Sequence, residues 1–475
     1  MTTTGRHRRA ESPIRRALSF SALNTVLSKV GTFATGIVLA RLLSPADFGV
    51  YAVAFVALIA LLSLNELGVS LAVVRWPGDP ARILPTVTTI SMISSGLLYA
   101  ACYFGAPAFT KALGAADATG VVRLLCVAVL VDGLTAPIAQ LVNREFRQGI
   151  RLLVDLANLL VTTGVTVSLA ATGHGAWSLA GGQLAGNVTA SIVLFTLVRR
   201  WPRPGFDPAC ARELLRFGLP LAGSSLLLVA MLNIDYVITG RMLGAVALGF
   251  YLQAFNLASW PVNMFSLVVR RVSLAAFARV QEDEAERESV LARMATLLAV
   301  PTLPVCALLG LLALPVVTTL YGTKWSESAS VLQFLVILGV VRVAGELGYD
   351  FLVALGRSRT TLWLQGGWLV SLGIALPVGA LLGGIQGVAI AHAAVAVLLV
   401  LPAFVFAVCR TGVRARVLAA AVKLPVLGCL LMAAVVFGVR MLTPAGFGQL
   451  VLGGTLGLAT YAVVVWPLRH SLKRS

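Results

Sequence analysis

Three cationic side chains, Lys29, Arg123 and Arg342, stand within long apolar stretches of a 475-residue chain. A charge at bilayer depth is costly and normally faces a bundle interior or a wet cavity. Arg123 lies near a segment end, where it can snorkel. Lys29 is mid-segment, and Ser21, Thr25, Ser28, Thr32 and Gly36 accompany it at three- and four-residue steps, a polar stripe on one helical face. Two readings stand: a helix lining a cavity that attracts anions, or hydroxyls bonding between packed helices. Lys29 favours the cavity.

Further along, Gln253, Asn256, Trp260 and Asn263 repeat the spacing, with Pro261 able to kink the helix. Amides that donate and accept, beside a ring that can stack, suit sugar hydroxyls and sugar faces; packing between helices suits them equally. Arg342, Glu346 and Asp350 step by four, which fits either a cavity cation or an intrahelical ion-pair ladder. Asn233 and Asp235 lie toward one segment end. Glu66, Asp132, Asp155, Asp235 and Glu346 are candidates for proton or cation coupling, or for pairing with the basic residues.

Other chemistry is missing. The chain has no GxxxxGK[ST] phosphate loop. The histidines (His7, His174, His392, His470) do not cluster, and the six cysteines are scattered without a CxxC pair, so neither a metal site nor a disulfide framework is supported. No catalytic residue and no cofactor is assigned. The acidic run at 281–289 reads as a solvated turn.

The elements that carry these residues follow from composition. The chain is 58% hydrophobic and only 12% charged, against roughly 25% charged in soluble domains. Apolar blocks of about twenty residues match a hydrocarbon layer of ~30 Å crossed by a helix. Without strict alternation they are helices and not barrel strands. The expected fold is an all-α membrane protein of about fourteen transmembrane helices: 18–43, 49–74, 84–106, 119–142, 150–172, 176–198, 214–241, 246–270, 290–320, 328–354, 360–382, 386–409, 416–440 and 447–467. An even number puts both termini on one side. With a cytoplasmic N-terminus, only Arg41, Lys111, Arg241, Lys324 and Arg440 fall at external ends; apart from the three in-helix cations, the remaining Lys and Arg lie on the cytoplasmic side. The net charge of +18 thus reads as topology and not as a nucleic-acid surface.

Ala40–Ala54 and Gly240–Ala254 match at an offset of 200 residues, pairing Arg41 with Arg241, Gly49 with Gly249 and Tyr51 with Tyr251. A weaker echo sets Gly173–Ala180 against Gly383–Ala391. The economical division is a basic cytoplasmic tail (1–17), a six-helix lobe (18–198), a linker (199–213), a second six-helix lobe of the same orientation (214–410), and two extra helices with a short tail (411–475). Repeat-built transporters place substrate near the midplane between their halves.

The motifs ARLLSPADFGVYAV (40–53), NREFR (143–147), GHGAWSLAGGQLAGN (173–187), RFGLPLAGSSLL (216–227), LGFYLQAFNLASWP (248–261), YGTKWSESASVLQFL (321–335) and ALGRSRT (354–360) occur in family order. In these the chain resembles the polysaccharide and O-antigen flippases of the multidrug/oligosaccharidyl-lipid/polysaccharide exporter superfamily. The resemblance implies a two-lobed carrier in the bacterial cytoplasmic membrane. It would move polyprenyl-diphosphate-linked oligosaccharides to the outer leaflet by alternating access, alongside partners such as a glycan polymerase. It also implies a cationic cavity, for which Lys29 and Arg342 are the positions available. Two alternatives remain: a cation-coupled exporter of cationic drugs, favoured by Glu66, Asp132 and Asp235, and a membrane glycan polymerase or ligase, disfavoured by the short external loops.

Overall fold

The structure, a computed structural model, describes residues 24–25, 27–65, 69–279 and 284–468. Sixteen helices run through them: α1 (27–42), α2 (Pro45–Asn65), α3 (Val69–Arg75), α4 (Leu84–Ala112), α5 (Thr119–Leu125), α6 (Val127–Arg144), α7 (Gln148–Ala171), α8 (Ala176–Val198), α9 (Pro208–Arg279), α10 (Glu284–Leu311), α11 (Ala313–Tyr321), α12 (Ser326–Ala354), α13 (Ser358–Val395), α14 (Leu401–Cys409), α15 (Ala415–Leu442) and α16 (Phe447–Val465). No strand occurs among the described residues. Large side chains such as Leu97, Phe104, Leu160, Leu382 and Val463 are exposed along the helices; such surfaces are stable in lipid and not in water.

Eleven of the described helical stretches are long and apolar enough to cross a membrane. The stretch Ser358–Cys409 has 52 residues, or about 78 Å of helix, far more than one crossing needs. Glycines break it at Gly383 and Gly384, and Gly244 breaks α9 in the same way, with φ 83 and ψ 175. Splitting both at these breaks and adding α1 gives about fourteen crossings, the number expected from hydropathy.

The chain divides into two compact units, Met1–Val246 and Ala247–Ser475. In the first, α7 packs closely along α8, α6 lies against α4, α3 and α8, and α2 against α5. Gly182 and Gly186 on α8 permit the α7–α8 approach: a Cβ at either would strike Thr166 or Thr162, a small-xxx-small seam. At the foot of this unit, Val73, Val87, Ile90, Leu141 and Leu214 form an apolar core. In the second unit α10 packs against α12, α15 and α16, and α12 against α13 and α14.

Local structure accounts for the motifs. In SPADFG, Ser44 and Asp47 cap α2 reciprocally: Asp47 N–H donates to Ser44 Oγ (3.3 Å), while Ser44 N–H and Oγ–H donate to Asp47 Oδ2 (2.9 and 2.6 Å). The weaker sequence echo is visible in the backbone. Gly175, ahead of α8, has φ 52 and ψ −133, and Gly384, ahead of the second arm of α13, has φ 57 and ψ −139. Only glycine adopts that geometry without strain.

Candidate functional site

Two polar faces, one in each unit, gather the residues singled out above. On α1 the stripe resolves into two, roughly 100° apart at 3.6 residues per turn. Asn24, Ser28, Gly31 and Thr35 form one. Asn24 Nδ2 donates to Asp155 Oδ2 (2.6 Å), Ser28 Oγ to Asn24 Oδ1 (3.3 Å), and Thr35 Oγ1 lies 2.8 Å from Thr163 Oγ1. A Cβ at Gly31 would meet Leu159. This face holds α1 to α7. Thr25, Lys29, Thr32 and Gly36 form the other, on which Lys29 and Thr32 are exposed and Thr25 half-buried. Ser28, grouped with Lys29 by spacing, therefore belongs geometrically with the α7 contact, and Ser21 lies outside the described residues.

The seam continues into α8. Asn158 Nδ2 donates to Asn187 Oδ1 (3.1 Å), as does Gln183 Nε2 (3.3 Å), and Thr162 Oγ1 donates to Asn158 Oδ1 (3.1 Å). Arg151, on the neighbouring turn of α7, contacts Asp155 at 3.7 Å and donates to Asn143 Oδ1 at 2.7 Å. Sequence reasoning missed Asn24, Asn158 and Asn187. The signal was present on α7, where Asp155, Asn158, Thr162 and Thr166 repeat at helical spacing.

Asp132 sits half-buried on α6, accepting from Asn65 Nδ2 at 3.0 Å; Ser94 Oγ donates in turn to Asn65 Oδ1 at 3.2 Å. Asn65 is 2% exposed. Glu66, beside it in sequence, lies outside the described residues. Asp235 on α9 is buried, and one of its carboxylate oxygens accepts from the Tyr236 N–H (3.0 Å).

In the second unit Gln253 is buried, Trp260 is half-buried, and Asn256 and Asn263 are exposed. The stripe thus runs from interior to surface along the second arm of α9. Nearby, Tyr251 Oη lies 3.3 Å from His392 Nδ1, both buried, a pair that spacing alone did not reveal. Arg342 is half-buried, its guanidinium 5.8 Å from the Phe255 ring centre. The four-residue ladder is not an ion-pair ladder between Arg342 and Glu346. The ion pairs among the described residues join Arg147 to Glu145, Arg151 to Asp155, Arg287 to Glu284 and Arg414 to Glu288, and none includes Lys29, Arg342 or Glu346.

Each unit therefore presents a cation within a helix that no described carboxylate neutralises: Lys29 on the face of α1 that also carries Thr25 and Thr32, and Arg342 beside the Phe255 ring. Such a set can hold an anionic group and sugar hydroxyls reversibly.

The chain is 23% identical over 337 residues to the teichuronic acid biosynthesis protein TuaB of Bacillus subtilis (strain 168), covering 70% of this chain and 69% of that protein. It is 24% identical over 369 residues to the succinoglycan biosynthesis transport protein ExoT of Rhizobium meliloti (strain 1021), covering 76% and 74%. Among solved structures, the lipid II flippase MurJ in an inward closed conformation superposes with a TM-score of 0.76 at 14% identity, covering 96% of this chain and 99% of that one. An inward-facing multidrug resistance MATE family transporter superposes at 0.62, with 18% identity and 86% and 99% coverage. Those two likenesses concern the fold. A sequence model described as "Polysaccharide biosynthesis protein" matches residues 38–330, more than half of the chain, and the protein is a member of that family.

Proposed function

We propose that the protein is a carrier that moves polyprenyl-diphosphate-linked oligosaccharide, a precursor of cell-surface polysaccharide, across the bacterial cytoplasmic membrane by alternating access. The observation that carries this reading is the pair of cations, Lys29 on α1 and Arg342 on α12, that stand in apolar helices outside every described ion pair. A charge kept unpaired at such depth costs folding energy, and a transported anion is the natural reason to keep it. The lipid diphosphate supplies that anion. The exposed amides Asn256 and Asn263, the half-buried Trp260 ring and the exposed Thr32 hydroxyl suit the glycan. No bond is made or broken, so no catalytic residue is needed. Membership in a polysaccharide biosynthesis family, a relative that is a succinoglycan transport protein, and a fold like that of a lipid II flippase all support the same reading.

The positive-inside distribution supports a multi-pass orientation with both termini cytoplasmic. Depleting the protein tests the proposal: lipid-linked repeat units should accumulate on the inner leaflet while their synthesis continues. Unchanged leaflet distribution after depletion would overturn it.

A further inference from the structure

Within the second unit, α10, α12, α14 and α15 line a half-open cavity of about 530 Å³. Its walls are aliphatic and aromatic, with Leu298 on α10, Val340 and Leu347 on α12, Phe404 on α14 and Val422 on α15. The single hydroxyl in the lining is that of Thr302, only 2% exposed, and its Oγ1 is buried without a hydrogen-bond partner. Threonines in helices ordinarily bond the carbonyl one turn back, as Thr189 does to Ala185 at 2.9 Å. The protein alone thus leaves an apolar volume unfilled.

The cavity extends along α10. Along α10 the lining runs from Leu291 to Leu303, about 18 Å at 1.5 Å per residue. That is close to one leaflet of a ~30 Å hydrocarbon layer. The volume falls within the ~300–1,000 Å³ of ordinary ligand sites and holds one unbranched chain; a long branched polyisoprenoid would overfill it.

The end of the cavity near Leu291, Val408 and Ala415 meets the α14–α15 connection, which is basic. Arg414 there is engaged by Glu288, its Nη2 and Nε donating to the carboxylate at 2.9 and 3.1 Å and its backbone N–H at 2.9 Å. Arg410 and Arg416 are exposed on either side, Arg410 lying over the Phe406 ring at 4.9 Å.

We propose that this cavity is a lipid site. It takes one acyl chain of an anionic phospholipid from the leaflet on the arginine-rich side, with the phosphate held at Arg410 and Arg416. The chain fills the space between α15 and the other three helices, so the lipid props the C-terminal helix pair.

The test is native mass spectrometry of the delipidated full chain titrated with palmitoyl-oleoyl phosphatidylglycerol, phosphatidylcholine or a polyprenyl phosphate. One phosphatidylglycerol should bind in preference to phosphatidylcholine. Arg410→Gln and Arg416→Gln, both on the surface, should each reduce that preference about fivefold. Ala295→Leu and Ala419→Leu, which put bulk into the cavity from two helices, should each weaken binding of both phospholipids, with thermal unfolding reporting that the variant is folded. Equal binding of the two phospholipids, polyprenyl phosphate binding that the cavity-filling variants weaken as strongly as phosphatidylglycerol binding, or unaltered phospholipid binding by a folded cavity-filling variant would overturn the proposal. None of these outcomes depends on whether the protein flips a glycan.

Discussion

Gly175 lies against the carboxylate of Asp47, so closely that a Cβ at position 175 would overlap Oδ1. The two residues belong to motifs 128 positions apart, SPADFG at the start of α2 and GHGAW at the start of α8. Asp47 is already committed to capping its own helix through Ser44. The contact therefore joins two helix starts at one end of the first unit through a residue that must lack a side chain.

Gly175→Ala should destabilise on two counts, since φ 52 with ψ −133 is strained for alanine and the carboxylate must move. Backbone strain of this kind costs about 1–3 kcal/mol. Membrane abundance and detergent melting temperature should both fall. Asp47→Ser, which keeps a capping oxygen and relieves the overlap, should recover part of the loss in the double variant. A double variant no more stable than Gly175→Ala alone would show that the overlap is not what matters.

The Asp132–Asn65–Ser94 chain gives a second prediction. Asn65→Leu removes the donor to Asp132 and leaves a carboxyl group inside the first unit without it. A loss of about 1–3 kcal/mol is expected, the usual cost of stranding a buried polar group. Asp132→Asn should be milder, because an amide can keep a bond to Asn65 once its oxygen faces the donor. Thermal unfolding of the two purified variants decides the order. If Asp132→Asn proves the more damaging, ionisation of Asp132 is needed for folding.

How much of this was legible in the sequence depended on the kind of signal. Helix number came from block length and charge alternation, which act locally along the chain. The Gly175 and Gly384 turns left only a faint echo, because backbone conformation constrains one residue in each copy and tolerates variation around it. The α1 stripe was visible, but its division into an α7-contacting face and a Lys29 face was not: Ser28 and Thr25 differ by only three positions, and only the partner helix separates their roles. Asn158 and Asn187 escaped for the same reason, since an amide's meaning lies in what crosses from the next helix. Arg342 and Glu346 carried a spacing that permits a salt bridge without requiring one.

Two prolines free backbone carbonyls inside the second unit, and hydroxyls from neighbouring helices meet them. Pro304 cannot donate to Val300, and Tyr461 of α16 donates its hydroxyl to the Val300 carbonyl at 2.8 Å. Pro425 cannot donate to Ala421, and Thr296 of α10 donates to that carbonyl at 3.0 Å. Tyr461→Phe and Thr296→Val should each cost about 0.6–2 kcal/mol, the range for interhelical hydrogen bonds in membranes. The losses should be nearly additive, since the bonds share no partner. Unfolding of single and double variants in detergent measures this. Restoring the backbone donor with Pro304→Ala should make Tyr461→Phe nearly harmless, and a full loss in that background would refute the account.

The last prediction concerns the two cations of the proposed carrier. Lys29→Ala and Arg342→Ala should lower glycan export at least tenfold while membrane abundance stays near that of the unaltered protein, because Lys29 is exposed and neither side chain joins a described ion pair. Lys29→Arg should preserve much of the activity, since an exposed ammonium acts mainly as a point charge. Arg342→Lys should preserve less, because a planar guanidinium above Phe255 can grip two phosphate oxygens at once and an ammonium cannot. Charge reversal at either position should be worse than neutralisation, since repulsion of the diphosphate adds to the lost attraction. Export measured against abundance in each variant separates this from misfolding. Export at the unaltered level in both alanine variants would remove the anion-binding role from these residues and leave the polar seam of α1, α7 and α8 as the next place to look.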